Sequence, residues 1–98
     1  MTLPMTEPAL TPLDTRRRRL LYRATHRGSY ENDLLIGGYV RRHIGAMTES
    51  EMDALEQVMD LSDADLADWL TGRRPIPQEI DSPTMQAIRA FALAPWSR

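Results

Sequence analysis

The sequence predicts an all-α fold, a compact bundle of five short helices. Three observations carry this. Apolar residues recur at spacings of three and four. Helix-start residues precede the apolar stretches, with glycine or proline after them. No alternating strand pattern with hairpin turns occurs.

The first helix is expected from about Asp14 to Arg27. Asp14 can cap its amino end, and Gly28 can supply a left-handed stop. Leu20, Leu21 and Ala24 share one stripe, with Arg16–Arg19 partly outside it. The second helix is expected over about Tyr30–Ile44, its apolar residues being Leu34, Ile36, Val40, Ile44 and Met47. Gly37 and Gly38 weaken its middle by about 1 kcal/mol each relative to alanine. Their use is a bend or the close approach of a neighbouring helix. Thr48-Glu49-Ser50-Glu51 is a capping box that opens the third helix, with Met47 and Met52 as a hydrophobic staple. Met52, Leu55 and Met59 then face one way.

Ser62-Asp63-Ala64-Asp65 opens the fourth helix, with Leu61 and Leu66 as its staple pair. Acidic first turns in both helices suit the positive ends of their dipoles. Leu66, Trp69 and Leu70 form an apolar patch before Gly72, and Trp69 is either core or an interface anchor. The stretch RRPIPQEIDSP is a connector whose prolines fix its path. Ser82-Pro83 starts the fifth helix, with Met85, Ile88, Phe91 and Ala92 on its apolar face. The domain organisation is therefore a disordered tail at 1–13, one helical domain at 14–94, and a short tail at 95–98.

The totals narrow the function classes. Ninety-eight residues with 42% apolar and 27% charged content make one small globular domain. A folded surface of roughly 5,700 Å² leaves room for one docking face but hardly for a deep cofactor pocket. No run suits a membrane span. The proline-bearing start resembles neither a secretory signal nor a mitochondrial presequence, so a cytoplasmic location, without a membrane partner, is expected. The chain has no cysteine, which excludes disulfides, thiol catalysis and thiolate metal sites.

The net charge of −2 hides a segregation. Residues 14–45 hold eight arginines against three acids, and residues 46–72 hold eight acids and no base. Separate positive and negative segments suit a protein-docking module better than a polyanion binder. Two histidines, His26 and His43, stand seventeen positions apart, which makes a metal site improbable. Glu31 and Asp33, two apart on a helix, point to different faces and make poor acid–base partners. No catalytic residue is assigned, and an enzyme is not expected. The Arg16–Arg19 run reads as a solvated face before it reads as a nucleic-acid contact, because the middle of the chain is acidic and the total negative; a helix-turn-helix over residues 48–72 would place eight acids at the DNA.

What remains is the segment HRGSYEND. Its plain reading is a helix–helix joint, with Gly28 as cap and with Arg27 and Glu31 each contributing about 0.3–1 kcal/mol through the helix dipoles. Its functional reading uses the same corner, with Arg27 and Glu31 projecting outward together and Gly28 letting a partner surface come close.

The stretches RRRRLLYRATHRGSYENDLLIGGYV and MTESEMDALEQVMDLSDADLADWLTGRRP, with IRAFA beyond, resemble the succinate dehydrogenase FAD assembly factors, marked by an Arg-Gly-x-x-Glu motif. The resemblance spans about residues 16–92. By position Arg27, Gly28 and Glu31 are the motif residues, and Asp33 takes the acidic position that follows. Asn32 stands where the family usually has an apolar residue.

The resemblance implies a five-helix assembly factor with no catalytic residue and no tightly bound cofactor, free as a monomer. It would dock on the flavoprotein subunit of succinate dehydrogenase, or of fumarate reductase, and promote covalent attachment of that partner's FAD. The expected docking residues are His26, Arg27, Gly28, Tyr30, Glu31 and Asp33. The alternative is a carrier that binds free FAD, with Tyr30 or Trp69 stacking on the flavin ring.

Overall fold

Every helix begins where a short polar side chain can accept from an amide of the first turn, because the first four amides of a helix have no partner within it. The computed structural model describes residues 13–94. They form α1 (Thr15–Thr25), α2 (Tyr30–His43), α3 (Glu49–Met59), α4 (Asp63–Leu70) and α5 (Pro83–Leu93). The caps are Asp14, Ser29, Thr48, Ser62 and Ser82, each accepting from the amide three residues on. At α3 the box is reciprocal: Glu51 donates its amide to Thr48 Oγ1 at 3.1 Å, and Glu51 Oε1 accepts from the Thr48 amide at 2.9 Å.

The bundle is all-α, as the periodicity predicts, with no strand among the described residues. Short 3-10 turns follow α2 at Ile44–Ala46 and interrupt the proline-rich connector at Gln78–Ile80. The expected tails fall at 1–12 and 95–98, outside the described residues; Leu13, the last residue of the expected first tail, packs against the core. No helix among the described residues is long and apolar enough to cross a membrane.

α2 runs through the middle, touching α1, α4 and α5, and α5 in turn touches α3 and α4. The core takes Leu20 and Ala24 from α1, Ile36 and Val40 from α2, Met52 and Leu55 from α3, Leu66 and Leu70 from α4, and Met85 and Ile88 from α5. Trp69 is only 6% exposed, so it is core. Leu34 corrects the expected α2 stripe: it is 55% exposed. The buried line is Asn32, Ile36, Val40, spaced by four. Leu34 lies two residues from Asn32, about 200° around the helix, and so faces out.

α2 continues unbroken through both central glycines, so their use is close approach. A Cβ on Gly37 would sit 2.9 Å from Thr25 Cγ2 and 3.1 Å from the Ala24 carbonyl oxygen. α1 thus lies almost backbone to backbone on α2, which fixes the angle at which their shared corner is presented.

The segregated charges pair with each other. Arg16 reaches Glu49 at 2.6 Å, Asp53 at 2.7 Å and Glu56 at 3.2 Å, all on α3. Arg17 donates to the Ile44 and Met47 carbonyls at 2.7 and 2.9 Å, and Arg23 pairs with Asp60 at 3.0 Å. Much of the basic run is therefore neither a solvated face nor a free polyanion site.

Gly37→Ala is expected to lower unfolding stability by about 1–3 kcal/mol through overpacking against α1. Gly45→Ala, where a Cβ meets nothing within 4 Å, should leave stability unchanged or slightly raised. Urea unfolding followed by circular dichroism measures both.

Candidate functional site

Residues 26–29 turn the chain between α1 and α2. Gly28 has φ of 89°, where a side chain clashes with the following carbonyl. A Cβ there would meet nothing within 4 Å, so the backbone demands glycine while the surface beside it stays open.

Arg27 corrects the expectation of an outward motif. Its side chain is only 10% exposed and folds inward. Nε donates to Asp63 Oδ1 at 2.6 Å, Nη1 to the Met59 carbonyl at 2.8 Å, and Nη2 to the Leu61 carbonyl at 3.0 Å. Its own amide donates to Asp33 Oδ1 at 2.7 Å. The reason is geometric. α1 ends at Thr25, two residues before the expected end, which leaves Arg27 in the bend between the helices, with its side chain reaching the α3–α4 joint. Met59 is the last residue of α3, whose carbonyls have no partner in the helix. The planar guanidinium satisfies one of them and pairs with a carboxylate in the first turn of α4. Arg27 does serve a helix terminus, but that of α3 and not of α1.

Asn32 completes the joint. It is fully buried and donates Nδ2 to both the backbone oxygen and Oδ1 of Asp63, each at 2.9 Å. Its Oδ1 has no partner among the described residues. Burial alone pushes the Asp63 carboxyl up; the bonds from Arg27 and Asn32, with the Arg27 charge, outweigh it and hold Asp63 below the usual carboxylate range.

Of the other expected residues, His26, Gly28, Tyr30 and Glu31 face out, and Asp33 turns in to the Arg27 amide. Tyr30 is 82% exposed. The Glu31 side chain is 46% exposed, one oxygen lying 3.5 Å from Arg73 Nη2. His26 stacks on Tyr22 with ring centroids 3.9 Å apart. Its Nδ1 lies 3.0 Å from the Tyr22 carbonyl and 2.9 Å from Thr25 Oγ1. From Tyr30 and Glu31 an open groove of about 930 Å³ runs between α2 and α5 over Leu34, Phe91 and Leu93. The corner thus presents His26, Gly28, Tyr30 and Glu31 to solvent, while Arg27 and Asp33 hold it from within.

Asp33 turns toward the Arg27 amide while Glu31 faces solvent, so the two carboxylates diverge. Among the described residues no group of three or more His, Cys, Asp or Glu could hold a metal ion. Trp69, one of the two aromatics expected to stack on a carried flavin, is in the core.

A family model described as flavinator of succinate dehydrogenase (Sdh5) matches residues 18–92, which include the whole corner. The chain belongs to this family. It is 45% identical over 76 residues to the FAD assembly factor SdhE of Acetobacter pasteurianus, covering 78% of this chain and 70% of that protein. It is 32% identical over 80 residues to succinate dehydrogenase assembly factor 2-B, mitochondrial, of Drosophila melanogaster, and 34% over 80 residues to the 2-A protein of Drosophila mojavensis. In both fly comparisons 80% of this chain is covered, but only 51% of the relative, so the chain spans about half the length of these mitochondrial proteins. No solved structure matches the chain.

Sequence reasoning finds the corner but misses Asp63 and Asn32, the partners that orient it. Asn32 leaves a trace, standing four residues before Ile36 on the buried line. Asp63 leaves none, because an acid after a serine cap has sufficient reason in the dipole of its own helix.

Arg27→Ala should cost about 2–4 kcal/mol in urea unfolding, since it leaves two carbonyls without their donor and Asp63 with Asn32 as its remaining partner. Arg27→Lys should not restore it, because an ammonium cannot span the three acceptors. A carboxyl held low in the folded state stabilises above its unfolded value and loses that contribution as pH falls through the folded one. The stability gap between the wild type and Asp63→Asn should therefore be widest near neutrality and close below about pH 4.

Proposed function

We propose that this chain promotes covalent attachment of FAD to the flavoprotein subunit of succinate dehydrogenase, and that it does so by docking through the α1–α2 corner. The observation that carries the reading is the rigid, open corner itself. Gly28, Tyr30 and Glu31 lie exposed on a turn that Arg27 and Asp33 pin from behind. Membership of the flavinator family, and the names of the relatives, support the client and the cofactor.

The chain contributes positioning. The bond-making chemistry belongs to the flavin and to a histidine of the client, which must be held in a near-attack arrangement. Glu31 accepts hydrogen bonds from the client, Tyr30 supplies rigid contact area, and bare Gly28 lets the client backbone approach. Arg27, whose donors are engaged inside, acts as a positioning residue and not as a contact. A preorganised corner loses little conformational freedom on docking, and so a small footprint suffices.

The test is co-expression of the flavoprotein subunit with this chain in a host lacking its own assembly factor. Covalent flavin is read as protein-bound fluorescence after denaturation. Glu31→Ala and Tyr30→Ala, both at exposed positions, should melt like the wild type yet lower covalent flavin roughly tenfold, the effect of losing about 1.4 kcal/mol of docking energy. Full flavinylation by both variants would contradict the reading.

A further inference from the structure

A second groove lies on the outer side of α1, against the end of α2, with a volume of about 770 Å³. Its charged lining is Arg18, Arg19, Arg23 and Arg41, with the Tyr22–His26 stack beside them, and it contains no acidic residue. The arginines differ in how they are engaged. Arg18 folds onto the Leu13 carbonyl, and Arg23 is tied to Asp60. Among the described residues the side chains of Arg19 and Arg41 make no hydrogen bond or ion pair, although other arginines of α1 and the α4–α5 connector are paired internally. Two unspent guanidinium groups thus face one groove, from two helices, over an exposed aromatic ring; Tyr22 is 63% exposed.

We infer that this groove receives an acidic, extended segment of the flavoprotein client, with Arg19 and Arg41 pairing with two of its carboxylates and Tyr22 packing on its chain. The inference rests on the docking reading above and extends it, because His26 borders both the corner and the groove. Charge complementarity selects the occupant: a concave lining of one sign concentrates the opposite sign. Size agrees. From Thr15 to His26 the groove follows about 16 Å of helix, the span of about five extended residues. A nucleic acid fits less well. Duplex binding depends on several phosphate contacts, whereas the groove offers two guanidinium groups not already engaged among the described residues.

The experiment titrates purified flavin-free flavoprotein subunit against the wild type, Arg19→Glu/Arg41→Glu and Glu31→Ala, at low and at high salt. Neither arginine holds the fold, so the double variant should melt like the wild type. The wild type should weaken as salt rises. The double reversal should bind roughly tenfold more weakly at low salt and lose most of the salt dependence. An Arg19→Glu/Arg41→Glu protein with wild-type affinity and salt dependence overturns the inference while leaving the corner intact, provided Glu31→Ala still weakens binding. No binding by the wild type overturns both. The same proteins are titrated with duplex DNA and with free FAD. Saturable binding of either at physiological salt, abolished in the double variant while subunit binding is unchanged, would reassign the groove and overturn the inference.

Discussion

One guanidinium ties the corner to the rest of the bundle. Arg27 sits on the link between α1 and α2, yet its bonds go to the last turn of α3, to Leu61 in the α3–α4 link, and to the first turn of α4. Four of the five helices therefore meet at a single planar group. It can do this because its donors diverge in one plane and its charge persists at any physiological pH. A carbonyl at the end of α3 and a carboxylate at the start of α4 are the acceptors that helix ends expose. Without the arginine side chain, the corner would lose its tie to α3 and α4 and keep only the α1–α2 packing at Gly37 and the bond from its own amide to Asp33.

The same device recurs along α1. Arg17 holds the carbonyls at the 3-10 turn after α2, and Arg16 holds three acids of α3. α1 thus lays its arginines on the acidic half of the chain. Individually, exposed pairs of this kind contribute about 0–1 kcal/mol. Their consequence is mainly specificity: they fix which helix lies beside α1 and in what register. The segregation of charge that suggests a docking module is largely an internal fastening, and what remains unpaired, at Arg19 and Arg41, is smaller and more local.

The elements most legible in the sequence are those fixed by local chemistry. Asp14, Thr48, Ser62 and Ser82 start helices because each cap acts within three residues, and Met52, Leu55, Leu66 and Ile88 are buried because period and burial coincide. Leu34 shows the limit of period alone: an apolar residue two positions off the buried line is exposed. The corner is legible as a turn through Gly28, and as a docking motif through family resemblance. The direction of Arg27 is not legible, because it depends on Met59, Leu61 and Asp63, more than thirty residues away. The same holds for Asn32, which is buried and donates to the same aspartate, extending the polar joint around Arg27.

The Arg-Gly-x-x-Glu motif is thereby divided by geometry. Gly28 and Glu31 face outward, and Arg27 faces inward to hold them. The central claim is that Arg27 remains an internal anchor while the corner docks. The most direct measurement is the solvent exchange of arginine Nε–H groups by nuclear magnetic resonance, in the free protein and with the flavin-free flavoprotein subunit added. The account predicts that Arg27 Nε–H exchanges far more slowly than those of Arg19 and Arg41, and stays protected in the complex. Exchange at Arg27 as fast as at those two exposed arginines in the free protein would contradict it.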